Sequence, residues 1–401
     1  MPLRTLQTLT WPRWLVLSLA WCLASLLAGC ETLAPTAPMA SHPQTLEAGV
    51  QRLGDDLVAQ LHSNILERMR SRHVVLDPFI DASSGQQTTS GVRAGQRLVQ
   101  RLAAKDSGLR IEPFDADGVR QADYLIAGTL TKGRQGQDYT LSATVTERRT
   151  ALVIASSSVR IQAGDIDSTP TIFFADSPSL VSDRLTKGYI DTARAAKGTA
   201  ADVPYLSSIG TAALINEATQ AYEQERPADA LIRYEEAARR PDGQQLRVFN
   251  GLYNSHLKLG HVQEAEQAFR QIVELGLATN NLAVRLLFNP GSTEFWRDPA
   301  VSAVYPNWLR QIALVTARGD YCLTVVGHTS RTGSEQINER LSLARARMVR
   351  ELLLGSDRTL ASRLDVSGMG WQANLIGSGT DDARDSLDRR VEFKVRSCTP
   401  R

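Results

Sequence analysis

Apolar residues recur along this chain with different periods, and the changes of period divide it. Leu53, Leu57, Leu61, Ile65 and Met69 stand at helical spacing and predict a helix over 47–71. Val74-Val75-Leu76 reads as a strand, and Ser83 to Ser90 as a polar loop. Gly91 to Ala104 is helical, with Val92, Leu98, Val99 and Leu102 on one side. Asp123 to Leu130 is a second strand, and the alternation over Tyr139–Glu147 and Leu152–Ile161 predicts a hairpin. Residues 47–163 therefore form a mixed α/β domain.

The next 45 or so positions carry little pattern. Residues 164–208 are expected to be a connector. Asp165 to Pro178 is loop-like, Leu180 to Ala196 one helix, and Gly198 to Ser208 a link. Over 209–280 the pattern becomes helical and repeats. Leu214, Ala218, Ala230, Tyr234 and Ala237 return as Phe249, Tyr253, Ala265, Phe269 and Ile272. A helix-turn-helix unit of this length, with small residues at the crossing, resembles the tetratricopeptide repeat. An unrelated helical hairpin is the alternative.

In residues 281–401 a family resemblance set out below implies strands at 284–288, 321–329 and 364–370, with a last one opening at Asp388. The same resemblance implies helices over 301–317 and through 338–346. On the second helix, Leu341, Ala344, Met348 and Leu352 predict a core face. Asn338, Ser342 and Arg345 share a different face. The fold class is multi-domain α/β and α: a mixed α/β N-terminal domain, a helical-repeat middle and a βαβαβ C-terminal domain.

The first 29 residues have another character. Arg4 and Arg13 precede an uncharged apolar run from Trp14 to Leu27, followed by Ala28-Gly29-Cys30. This is the layout of an export signal, and the run is short for a span, which needs about 20 residues. A plain signal peptide or a short membrane helix is the alternative. Leu27-Ala28-Gly29-Cys30 resembles the lipobox of bacterial lipoproteins. That resemblance implies cleavage before Cys30, lipidation of Cys30, and anchoring to a membrane by acyl chains. Glu31 in place of Asp leans towards the outer membrane, facing the periplasm. Residues 30–46, with Pro35, Pro38 and Pro43, read as an extended linker.

Composition fits a soluble body on such an anchor. Hydrophobic residues make up 42% and charged residues 22%, as in ordinary globular domains. The net charge of +2 equals the two arginines of the signal, so the remainder is neutral and lacks the basic excess of a nucleic-acid binder. Of four cysteines, Cys322 and Cys398 remain once Cys22 and Cys30 are set aside. In an exported protein they are expected to pair, with two free thiols as the alternative. The six histidines are read as offering no metal-ligand set, and no cofactor is expected. No G-x-S-x-G, P-loop or H-E-x-x-H motif occurs, so the chain reads as a non-enzyme.

Two further resemblances concern the folded parts. Val75-Leu76-Asp77-Pro78-Phe79-Ile80-Asp81, Ser84-Gly85 and Ala122 to Leu130 resemble the periplasmic lipoprotein domains of the CsgG, FlgO and LpoB type. That implies partner binding in a secretion, flagellar or peptidoglycan-synthase machine. Residues 284–396 resemble the OmpA C-terminal domain, and Asn338 to Ala346 fits its N-x-x-L-S-x-x-R-A helix at every defined position. The resemblance implies binding of the diaminopimelate stem of peptidoglycan. Arg345 would take the carboxylate and an Asp in the preceding loop the amine. Asn338, Thr329, Leu341 and Arg389 would complete the site. The loop here runs Gly327-His328-Thr329-Ser330, with Ser330 in place of the family's Asp, and Asp388 replaces the usual Asn. A surface role for Arg345 is the alternative. Losing one charge-assisted bond costs about 1.5–3 kcal/mol, so wall binding is expected to be weak or altered. The chain then reads as an outer-membrane scaffold joining membrane, wall and an envelope protein complex. A regulator or assembly factor of such a machine is the alternative.

Overall fold

A computed structural model describes residues 42–61, 71–104, 108–133, 136–375, 379, 385 and 388–398. The signal, Cys30, most of the linker and the expected helix beyond residue 61 lie outside the described residues. Ser41–Arg401 is one compact unit.

The N-terminal domain is a six-stranded sheet between two helical layers. Its strands are β1 (Arg72–Leu76), β2 (Ile80–Asp81), β3 (Leu109–Glu112), β4 (Tyr124–Lys132), β5 (Asp138–Glu147) and β6 (Leu152–Gln162). The order is β3-β1-β4-β5-β6, with β2 also on β4. β1 pairs parallel with β3 and β4, whereas β4, β5 and β6 pair antiparallel, with a bulge at Val145/Thr146. Side chains alternate across the strands. Val74, Tyr124 and Ile126 face one core with Leu53, Leu57 and Leu98. Those leucines come from α1 (Leu46–Leu61) and α2 (Thr89–Ala104). Val75, Leu125 and Ala127 face the other core. A short α3 (Ala116–Gln121) precedes β4, capped by Asp115.

That second face is covered by residues expected to be a connector. The stretch 164–208 holds α4 (Ile172–Asp176), α5 (Arg184–Ala193) and α6 (Val203–Ser207). Tyr189, Ala193 and Tyr205 pack there with Ile209, Ala212 and Ala213. The single helix expected over 180–196 is shorter because Asp183 caps α5, accepting from Thr186 N. Two phenols pin the Asp77-Pro78 segment. Tyr189 donates to Pro78 O at 2.9 Å, and Tyr205 to Asp77 Oδ2 at 2.8 Å.

The middle is formed by α7 (Ile209–Glu223), α8 (Pro227–Ala238), α9 (Leu246–Lys258) and α10 (Val262–Ala278). All ten positions of the sequence repeat are buried. Gly251 is where Tyr234 packs: a Cβ there would lie 2.3 Å from its ring.

The C-terminal domain has β7 (Leu282–Val284), α11 (Pro299–Ser302), α12 (Tyr305–Arg318), β8 (Cys322–Gly327), α13 (Glu335–Ser356), β9 (Leu364–Gly368) and β10 (Val391–Arg396). The sheet order is β7-β10-β8-β9, with β8 and β9 parallel and β10 antiparallel to both neighbours. The last strand, expected to open at Asp388, is β10, and it lies between β7 and β8. Cys322 and Cys398 are joined by a disulfide, with Cα atoms 5.2 Å apart.

One hydrophobic core runs from the middle into this domain, taking in Tyr253, Phe269, Trp308, Ile312 and Phe393. Main-chain bonds add a seam. Leu180 N donates to Ala283 O, Arg285 N donates to Pro178 O, and Ser179 bridges Val284. The Arg285 guanidinium donates to the carbonyls of Phe174, Ala175 and Ser177 at the end of α4. Among the described residues, no helix is long and apolar enough to cross a membrane.

Candidate functional site

The expected wall site falls where β8 ends and α13 begins. Ser334 caps α13, its Oγ accepting from Ile337 N. The helix lies hard against two strand ends. A Cβ on Gly327 would be 2.1 Å from Ser342 O, and one on Gly368 would be 2.6 Å from Leu343 N. Beside these strand ends the approach buries polar residues of the helix rather than Leu341 and Leu343. Asn338, Ser342, Arg345, Ala346, Val349 and Leu353 form the buried stripe.

This corrects the expected core face. Leu341, Ala344 and Met348 are half-buried, and Leu352 is 41% exposed, as is Ile337 at 62%. Burial of the polar stripe is tolerable because its members are hydrogen-bonded. Asn338 Nδ2 donates to Thr332 O at 2.6 Å and to Ser334 O at 3.0 Å. Ser342 Oγ donates to Glu339 O and accepts from Gly370 N at 2.9 Å. Asn338 therefore closes the loop in front of the helix.

Arg345 is 2% exposed. Its Nε donates to Ser292 O at 3.0 Å and its Nη2 to Asn289 O at 3.1 Å. Its guanidinium carbon stands 4.7 Å from the ring centre of Phe288, a cation–π arrangement. The fork that a carboxylate would use is thus aimed at the turn after β7. A solvated surface role for this arginine is ruled out by its burial.

The loop opposite is equally enclosed. Thr329 N donates to Gly370 O at 2.9 Å, and Thr329 Oγ1 is buried without a partner among the described residues. Ser330 is buried and lies 3.4 Å from Thr332 Oγ1. His328 is buried, with Nε2 3.7 Å from Glu392 Oε1. Burial pushes its pKa down, against the pull of the Glu392 carboxylate beside it. Glu392 also receives Arg390 at 2.7 Å and Lys394 at 2.7 Å. Burial would raise its pKa, but His328, Arg390 and Lys394 prevail and hold it well below the carboxylate range.

Asp388, Arg389 and Arg390 are buried at the start of β10, and Asp388 Oδ1 accepts from Leu375 N. Sequence reasoning missed what faces them. Lys132, at the end of β4 in the N-terminal domain, has its pKa lowered by burial, while Asp388 and Asp385 act in the opposite direction and Arg331 adds to the lowering. Nothing in the sequence pointed from residue 132 to residue 388. Phe288 and the carbonyls of Asn289 and Ser292 were likewise unforeseen.

Thr329, Ser330 and Asn338 thus stand in and just after the loop before α13, whereas Arg345 lies midway along the helix and turns to Asn289 and Ser292, with Leu341 on the helix flank and Arg389 at the start of β10. Cys30 lies outside the described residues. The OmpA family model matches residues 287–387, which take in this C-terminal domain from β7's exit to the approach to β10. Outer membrane protein Omp38 of Acinetobacter baumannii is 40% identical over 119 residues, which cover 28% of this chain and 30% of that protein. This chain thus spans under a third of the length of the curated relatives it matches. Among solved structures, the peptidoglycan-associated lipoprotein of Burkholderia pseudomallei is 21% identical, covering 28% of this chain and 88% of that one, at a TM-score of 0.23. The periplasmic domain of Helicobacter pylori MotB is 18% identical, covering 29% and 74%, also at 0.23.

Proposed function

We propose that this protein is a lipid-anchored periplasmic scaffold of the outer membrane, not an enzyme. Cys30 carries the anchor, the OmpA-like domain contacts peptidoglycan weakly, and the N-terminal and tetratricopeptide-like parts receive a protein partner of the envelope. The observation that carries the wall-contact reading is the site at Arg345. It lies within the residues matched to the OmpA family, and it keeps the arginine half while Ser330 lacks the acid half. A 40% identical stretch in an outer membrane protein supports the same compartment.

The weakness of the contact has two physical sources. Ser330 offers an ammonium no charge-assisted bond, a deficit of about 1.5–3 kcal/mol, or roughly ten- to a hundredfold. Arg345 already donates to Asn289 O and Ser292 O, so a stem carboxylate must compete with main-chain carbonyls.

The test is co-sedimentation of the full chain with purified sacculi at fixed salt. Ser330→Asp is expected to strengthen retention, because it restores a carboxylate beside the ammonium. Arg345→Lys, which keeps the charge without the planar fork, is expected to abolish it. If neither variant differs from the parent, the site does not bind the wall.

A further inference from the structure

The wall site has a second edge, at the start of β10. His328 N donates to Arg390 O at 3.1 Å, continuing the antiparallel register in which Gly327 faces Val391. Carried two residues further, that register sets Ser330 opposite Asp388. Asp388 is buried, and its Oδ1 accepts from Leu375 N at 2.6 Å. Thr329, beside Ser330, keeps a buried hydroxyl oxygen without a partner among the described residues.

The N-terminal domain brings a basic side chain to the same place. Asp81 of β2 pairs with Leu130 of β4, and Ala82 N donates to Leu130 O at 2.8 Å, so Lys132 ends β4 beside the loop after β2. A Cβ on Gly85 of that loop would lie 3.5 Å from Val181 O. Leu180, the neighbour of Val181, packs with Ala283 and Leu375, and Leu375 is the residue bonded to Asp388. Lys132 is half-buried. Burial lowers its pKa. Asp388 and then Asp385 are the strongest charges opposing that, while Arg331 adds to the lowering. An ammonium drawn out of water needs carboxylates to match it, and these two belong to the C-terminal domain.

We propose that Asp388 is the acid half of the wall site, placed at the start of β10 instead of at Ser330, and that the Lys132 ammonium holds it against the ammonium of the stem peptide. This rests on the wall-contact reading above. Both groups are primary ammonium ions and each seeks the same carboxylate, so one excludes the other. A carboxylate already matched by Lys132 gives the stem no charge-assisted bond. Weak wall contact then has a further source besides Ser330: the acid is present, and a side chain of the same molecule occupies it.

The experiment is co-sedimentation of the full chain with purified sacculi at fixed salt, with thermal melting of each variant to establish that it folds. Lys132→Met removes the competing ammonium and is expected to raise retention about tenfold. The gain should vanish when Arg345→Lys is added. Asp388→Asn keeps an acceptor for Leu375 N without the charge, and is expected to lower retention about tenfold. In that background Lys132→Met should add nothing and Ser330→Asp should restore retention, which a purely structural role for Asp388 would not allow. Unchanged retention in Lys132→Met, or in folded Asp388→Asn, while Arg345→Lys still abolishes it, overturns this proposal and leaves the wall-contact reading standing. Retention of no form, Lys132→Met included, overturns both.

Discussion

The indole nitrogen of Trp308 donates to the phenolic oxygen of Tyr253 at 3.0 Å, tying the longer of the two helices before β8 to α9 of the middle. Phe269 stacks on the same indole at 5.2 Å, and Arg270 Nε reaches Gln311 at 3.0 Å. Helical middle and C-terminal sheet thus share a core. Trp308→Ala is expected to cost about 3–5 kcal/mol and to lower a single unfolding transition. Calorimetry showing two independent transitions, only one of them moved, would refute the coupling.

Asp77 predicts a pH dependence. Burial raises its pKa from 3.8 to about 6, against the opposing pull of Arg247 and the Tyr205 hydroxyl. A carboxyl that binds its proton more tightly when folded stabilises the fold at low pH, and that contribution is lost as pH rises from about 4 through 6. The difference is worth on the order of 3 kcal/mol. Asp77→Asn keeps an acceptor for Tyr205 without a charge. It is expected to be more stable than the parent at pH 7, with the gain vanishing near pH 4. Denaturant melts of both proteins across that range decide it; a constant difference would show that Asp77 does not titrate there.

The disulfide closes a loop between residues 76 apart in sequence. Chain entropy assigns such a closure about 4–5 kcal/mol. Protein made in an oxidising compartment is expected to yield no thiol titre from Cys322 and Cys398 when denatured, and to melt markedly lower after reduction. A melting curve unchanged by reductant would contradict this.

The proposed lipid attachment at Cys30 predicts that Cys30→Ser loses labelling by fatty-acid analogues and moves to the soluble periplasmic fraction. Retention of the variant in washed membranes would eliminate the anchor.

The strands that alternate cleanly were legible from sequence: β4, β5 and β6 lie within a residue or two of their expected bounds. β3 was not, since Leu109-Arg110-Ile111-Glu112 alternates over only four residues at the sheet edge. The face of α13 was misread for a physical reason. Apolar periodicity pointed to Leu341, Ala344, Met348 and Leu352, yet the close approach permitted by Gly327 and Gly368 favours the smaller polar stripe. The order of Thr329, Ser330, Asn338 and Arg345 from the loop after β8 into α13 could be read from the motif. The partners of Arg345 could not, because they are main-chain carbonyls and any residue type supplies those.

Because Pro178 and Leu180 hydrogen-bond across β7, the outer rim of the C-terminal sheet is finished by a segment a hundred residues upstream. A fragment cut at residue 281 would leave that rim bare and strip Arg285 of the three carbonyls of α4 and its exit. Bare rims recruit other strands, so such a fragment would self-associate, and its behaviour on a cell wall would say little about the intact chain. The smallest faithful excision begins before Ile172 and carries the helical middle with it.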